Sequence, residues 1–334
     1  MSGPDYLSLP DLALRSYGGS VIAANDEFFA EKENLITPGA AAFNPATFGH
    51  KGQIYDGWET RRRRSAGHDW AIVRLGLPGV VRGVVIDTSF FTGNFPPYAA
   101  VDGTAVDGYP PADTVAAGAD WMPLVPRVEL SGDGRNEFEV PESGRITHVR
   151  LSIYPDGGVA RLRVHGEVVP DPRLWAGLSI DLAALENGAV VTGCSNMHYA
   201  SPNNLIAPGF ARVMGEGWET ARRRDDGNDW VSVRLAGAGV VRLLELDTTH
   251  FKGNAPGAAS VRGGHDGEWF ELLPRTPLLP DTRHRFVVDG DRVASELRLD
   301  VFPDGGMARL RGYGRLTDEA LAHLTDHWRQ RSTK

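Results

Sequence analysis

The sequence predicts an all-β protein made of two copies of one β-sandwich module, with a short helix at the C-terminus. Three observations predict it. First, the chain is written twice: DGWETRRRRSAGHDW from Asp56 returns as EGWETARRRDDGNDW from Glu216, and 23 of 41 positions agree over the full repeat at an offset of 160. Second, RLSIYPDGGVARLRVHG from Arg150 matches RLDVFPDGGMARLRGYG from Arg298, and ENLITPG from Glu33 matches NNLIAPG from Asn203. Third, short runs of alternating polarity lie between dense turn signals, with 40 glycines and 22 prolines. Alternation with period two is the mark of a half-buried strand. Solenoid units run to ~20–50 residues, so this longer repeat has the size of a domain.

Taken in order, DEFFAEKEN from Asp26 suggests a helix. The first copy carries extra residues between Gly39 and Asp56 and again between Tyr98 and Trp121; both stretches are rich in Ala, Gly, Pro and Asp and are expected to be surface loops. DWAIVRLG and RGVVIDTS alternate as two strands, followed by RVELSG, FEVPES, THVRLSIYP and ARLRVHG. PDGG, at Pro155 and again at Pro303, is a turn: proline fixes φ and glycine accepts positive φ. Arg161, Arg163, Arg309 and Arg311 follow it and alternate with apolar residues, which suggests a solvated strand face. At the end, Thr317 can cap a helix whose Leu321, Leu324 and Trp328 form an apolar stripe. The expected modules are residues 1–170 and 171–334, joined through VVPDPRLWAGLS.

Composition narrows the function. A net charge of −8 gives no reason to expect nucleic-acid or membrane binding, and no apolar stretch approaches the ~20 residues of a membrane span. The N-terminus lacks the order of a secretory signal, and Cys194 is the single cysteine. Together these point to a reducing, cytoplasmic setting. Metal-binding, P-loop, dinucleotide and nucleophile-elbow motifs are missing, so no metal or cofactor is indicated, although a metal requirement is not excluded.

The repeated polar motifs supply the candidate site. Glu59, Arg62 and Arg63 correspond to Glu219, Arg222 and Arg223. Consecutive arginines cannot all share one face. A planar guanidinium can grip a carboxylate through two parallel hydrogen bonds, which lysine cannot do. Asp69 is placed to anchor a nearby arginine, and Trp70 is expected to pack in the core. Asp87, Thr88 and Asn94 correspond to Asp247, Thr248 and Asn254 and place short polar groups at one rim. The copies diverge there: His68 becomes Asn228, Phe90 becomes His250 and Thr92 becomes Lys252.

At GGSVIAANDEFFAEKENLI, DGWETRRRR and DTSFFTGNFPP the chain resembles the allantoicase family over nearly its whole length. The resemblance implies two jelly-roll modules of the galactose-binding-like type, assembled into a homo-oligomer. It also implies hydrolysis of allantoate to ureidoglycolate and urea in purine degradation. On that footing Arg62, Arg63, Arg222 and Arg223 would bind the substrate carboxylate. Glu59 or Glu219 would serve as acid and base, with His68 or His250 as rivals. Asp87, Thr88, Asn94, Asp247, Lys252 and Asn254 would orient the substrate. Two alternatives stand beside this reading: a non-catalytic carbohydrate-binding sandwich, and a related ureide hydrolase acting on ureidoglycolate.

Overall fold

Antiparallel pairing organises the chain into two compact units, the first built on the residues up to Val169 and from Gln330 on, the second on Pro170 to Arg329. The structure, a computed structural model, describes residues 5–50 and 52–332. It is mostly β, with one large sheet in each unit. In the first unit the strands run in the order Ser20–Ala24, Asp69–Asp87, Arg145–Tyr154, Tyr98–Thr104 and Met122–Glu129. Arg135–Glu139 and Arg161–Val168 also pair with Asp69–Asp87. The second unit builds its sheet in the same way around Asp229–Asp247.

The two alternating runs expected at Asp69 and Arg82 are one strand of 19 residues. It changes partners along its length. Asp69 to Arg74 pair with Arg145–Tyr154, whereas Gly79 to Asp87 pair with Arg161–Val168. The changeover falls at Gly76 to Gly79, where a Cβ on either glycine would overlap a carbonyl of the neighbouring chain. Such glycines let a strand bend from one set of partners to the next, which is how a sandwich turns its corners. The LPGV sequence between the two alternating runs is therefore a bend inside a strand.

The inward faces carry the core. Leu77, Val84, Ile86, Ile146, Leu151 and Leu162 are buried in the first unit, and Leu244, Leu246, Leu297, Leu299 and Leu310 in the second. The tryptophans buried completely are Trp58 and Trp218, whose indole N–H groups donate to the carbonyls of Asp26 and Asn196, both at 2.8 Å. Trp70 is only half-buried, so the core role expected of it belongs to Trp58.

Three local expectations are corrected. The DEFFAEKEN stretch is not an α-helix: only a 3-10 turn, Lys32–Ile36, forms there. The Asp26 carboxylate instead accepts from the backbone N–H groups of Phe28 and Arg61, which fixes the segment as a loop. The insertion between Tyr98 and Trp121 contains a short helix, α1 (Ala112–Gly118). The arginines after PDGG are not solvated. Arg161 is 2 % exposed, Arg309 and Arg311 are buried and Arg163 is half-buried.

These arginines reach across the sheet to backbone carbonyls. Arg163 donates to the carbonyls of Thr37 and Gly39, and Arg311 to those of Ala207 and Gly209. A guanidinium carries enough donors to satisfy several buried carbonyls of one loop at once. Their charges are offset in kind: Asp11 lies 3.6 Å from Arg163, and Asp181 lies 3.5 Å from Arg311.

The C-terminal helix α2 (Asp318–Ser332) forms as expected, and Thr317 Oγ1 accepts the N–H of Ala320 at 3.1 Å. Leu321, Leu324 and Trp328 are half-buried, and the Arg173 guanidinium lies over the Trp328 ring. No helix among the described residues is long and apolar enough to cross a membrane.

Candidate functional site

Three repeated motifs that are far apart in sequence meet at one place in each unit. In the first unit, the two-residue strand Trp58–Glu59 pairs with Gly158–Val159, and Glu59 also bridges Ala30. Thr60 donates its N–H to the carbonyl of Gly157 at 3.1 Å, and its hydroxyl accepts the N–H of Gly157 at 3.2 Å. Asp156 accepts the N–H of Arg63 at 2.7 Å. Gly158 donates to the carbonyl of Asn94 at 2.8 Å. The turn thus ties the Gly-Trp-Glu-Thr segment to the Gly-Asn segment.

Glycine is required at this turn for two separate reasons. Gly157 has φ 141°, and a Cβ on Gly158 would overlap the ring of Phe91. The second unit repeats both features at Gly305, with φ 134°, and at Gly306 against Phe251.

The result is a carboxylate gripped by an amide. Asn94 Nδ2 donates to Glu59 Oε1 at 2.7 Å, and Asn254 Nδ2 donates to Glu219 Oε1 at 2.5 Å. Burial pushes the Glu59 carboxyl above its ordinary pKa, against the opposing effect of the Asn94 hydrogen bond. Its burial thus lets Glu59 keep its proton to a higher pH, which suits a proton donor.

The arginine run divides its work, as consecutive residues must. Arg63 Nη1 lies 2.5 Å from Asp69, a carboxylate 1 % exposed, and Arg223 Nη1 lies 2.8 Å from the equally buried Asp229. These two arginines are structural anchors of the turn. Arg62 and Arg222 are exposed and have no ion-pair or hydrogen-bond partner among the described residues. Their forks are free for an anion.

In the second unit these groups line an open cleft of about 440 Å³. Glu219, Arg222, Arg223 and Asn254 form it together with Tyr199, Asp304 and Gly305. Sequence reasoning missed Tyr199, Asp304 and Gly305. The signal for the last two was present, because PDGG is identical in both copies, but it reads as a turn and nothing more. Tyr199 carries no such signal. Its N–H donates to the carbonyl of Glu219, as the N–H of Phe29 donates to that of Glu59, so the copies place a phenol and a phenyl at the same position.

The other expected site residues lie elsewhere in the local framework. Thr88 is fully buried, and its hydroxyl donates to the carbonyls of Ser131 and Gly134. Asp87 accepts the N–H of Ser89, and Asp247 accepts the N–H and hydroxyl of Thr249, so both close a turn. His250 packs at φ 74°, with Nε2 3.0 Å from the carbonyl of Ala211. His68 lies tilted against the Tyr154 ring, with the ring centres 4.6 Å apart, and burial together with Arg150 and Arg63 lowers its pKa. Lys252 is exposed. The structure brings none of Asp247, His250 or Lys252 into the lining of the cleft.

Cys194 is half-buried, with its thiol pKa pushed up by burial, which does not favour a nucleophile. Among the described residues no group of three or more His, Cys, Asp or Glu side chains is placed to hold a metal ion.

Comparison with known proteins follows the same outline. A family model described as "Allantoicase repeat" matches the chain over residues 10–169 and again over 180–317. A probable allantoicase of Nocardia farcinica is 61% identical over 93% of this chain and 95% of its own length. The allantoicase of Dictyostelium discoideum is 41% identical over 93% of this chain and 88% of its own. The crystal structure of the Saccharomyces cerevisiae allantoicase is similar with a TM-score of 0.77 and 34% identity, covering 91% of this chain and 92% of that one.

Proposed function

The chain belongs to the allantoicase family and is a hydrolase, and we propose that it cleaves allantoate to ureidoglycolate and urea in the cleft of its second unit. One observation carries the assignment to this cleft: the unpaired fork of Arg222 and the Glu219–Asn254 pair line the same cavity. Allantoate has one carboxylate and two ureido groups on a single carbon. The free guanidinium matches the carboxylate, and the amide–carboxyl pair matches a ureido group that must leave with a proton.

In the proposed reaction Arg222 holds the substrate carboxylate. Glu219 donates its proton to the departing ureido nitrogen as the C–N bond breaks, and urea leaves. The lone pair of the remaining ureido nitrogen spreads the positive charge on the central carbon. Glu219, now a carboxylate, takes a proton from water as the water oxygen bonds to that carbon, giving ureidoglycolate and restoring the acid. Asn254 fixes the carboxyl in place and offers its carbonyl oxygen to a ureido N–H. Arg223 acts through position, locked by Asp229.

The second unit is preferred because of its wall. Tyr199 brings a hydroxyl where the first unit has Phe29, and His198 stands where the first has Phe28. A substrate this polar is better matched by hydrogen-bonding side chains than by phenyl rings. The same reading takes each unit as a jelly-roll β-sandwich and the working protein as a cytoplasmic homo-oligomer. Product analysis tests it. Incubation with allantoate is expected to release urea and ureidoglycolate in equal amounts; ammonia in place of urea would overturn the assignment.

A further inference from the structure

The first unit has a pocket of about 520 Å³ whose lining includes none of Glu59, Arg62 and Asn94. Lys32, Glu33, Arg74, Tyr109, Pro110 and His148 line it. Tyr109 and Pro110 come from the insertion that the second copy lacks, so the second unit has no counterpart for this wall.

One cation of the pocket stands without a direct partner. Lys32 is matched by Glu33 at 2.8 Å and by Glu27 at 3.3 Å. Arg74 is half-buried and has neither an ion-pair nor a hydrogen-bond partner among the described residues. Its cross-strand partner is His148. At the corresponding place in the second unit, Arg234 faces Glu296. Opposite charges placed directly across a sheet attract one another. The first unit has a histidine where the second has the carboxylate.

His148 does not supply a charged partner. It is 3 % exposed, its Nδ1 is 2.9 Å from the Thr147 hydroxyl, and burial followed by the Arg74 charge lowers its pKa to about 4. At neutral pH it is therefore uncharged, and Nε2 has no partner among the described residues. The guanidinium lies 5.8 Å from the centre of the Tyr109 ring, which is itself 88 % exposed. An exposed flat ring beside an uncompensated fork can cover a flat ligand whose anionic end the fork holds.

We propose that this pocket is a second ligand site, confined to the first unit, for a small organic carboxylate with a flat body. Arg74 grips the carboxylate, His148 adds a hydrogen bond, and Tyr109 stacks on the flat part. The site is independent of the cleft at Glu219.

Calorimetric titration of the full chain with sodium benzoate, and with sodium acetate for comparison, tests this. Benzoate is expected to bind the wild type and the Arg222→Lys variant alike, and more tightly than acetate. Arg74→Gln is expected to weaken benzoate by about tenfold or more, the scale of a lost charge-assisted contact. Tyr109→Ala changes only an exposed side chain and is expected to bring benzoate towards the weaker affinity of acetate. No binding of benzoate to the wild type would overturn the proposal. So would undiminished binding to both the Arg74 and Tyr109 variants, or binding lost only in Arg222→Lys.

Discussion

Asn254 donates its amide N–H to Glu219 at 2.5 Å, and the same pair recurs as Asn94 and Glu59 at 2.7 Å. The two partners are 35 residues apart in each unit and are joined by the Pro-Asp-Gly-Gly turn, which hydrogen-bonds to the segments on both sides. A carboxyl fixed in this way is ready for proton transfer without first having to be ordered.

If Glu219 moves the proton, Glu219→Gln keeps the shape and the Asn254 contact but removes the acid. Turnover of allantoate is expected to fall by about 10²- to 10⁴-fold, with KM little changed. Steady-state urea release measures both quantities. A loss confined to KM would assign Glu219 to binding.

Asp229 accepts from Arg223 and from the hydroxyl of Ser195, and its side chain is fully buried. Asp229→Ala leaves the Arg223 guanidinium without its inner partner. The expected cost is about 2–3 kcal/mol, below the full range for a buried pair because the arginine is partly solvated. Denaturant unfolding at neutral pH measures it.

Arg311 donates to the carbonyls of Ala207 and Gly209 from a buried position. Arg311→Met fills much of the volume but leaves those carbonyls unpaired, and a loss of about 2–4 kcal/mol is expected. Arg311→Lys should recover little of it, since an ammonium cannot reproduce the fork. Unfolding midpoints of the two variants make the comparison.

The pH dependence of stability follows from His148, whose pKa is lowered from 6.5 to about 4 by burial and by Arg74. With a folded value below the unfolded one, the unfolded chain binds the proton first as pH falls. The contribution is therefore complete above about pH 6.5 and is lost progressively down to about pH 4. A gap of this size corresponds to about 3 kcal/mol at most. The wild type should lose that much more stability than His148→Gln between pH 7 and pH 4 in denaturant titrations.

How much of this the sequence discloses depends on the residue. Glu59, Arg62 and Asn94 and their partners Glu219, Arg222 and Asn254 were legible because the repeat preserves them within long, uncommon stretches. Strand type was legible from alternation, and the cap at Thr317 from its spacing to the apolar stripe. What failed did so for physical reasons. Arg161 and Arg311 alternate like surface residues, yet a sheet face can be covered by a returning loop, and a local pattern carries no information about that cover. Thr88 looks like a rim hydroxyl but satisfies two carbonyls from the Ser131–Gly134 turn, 43 and 46 residues away. Tyr199 reaches the cleft through the backbone pairing of its segment with Glu219, and in the repeat it aligns with Phe29, so it reads as an ordinary exchange of aromatic residues.

The most direct test compares Arg222→Lys with Arg62→Lys by steady-state urea release from allantoate. Both substitutions keep the charge and remove the fork. Arg222→Lys is expected to lower kcat/KM by about 10- to 100-fold, and Arg62→Lys by less than about threefold. An Arg222→Lys enzyme with unchanged kcat/KM would contradict the placement of substrate in the second unit's cleft.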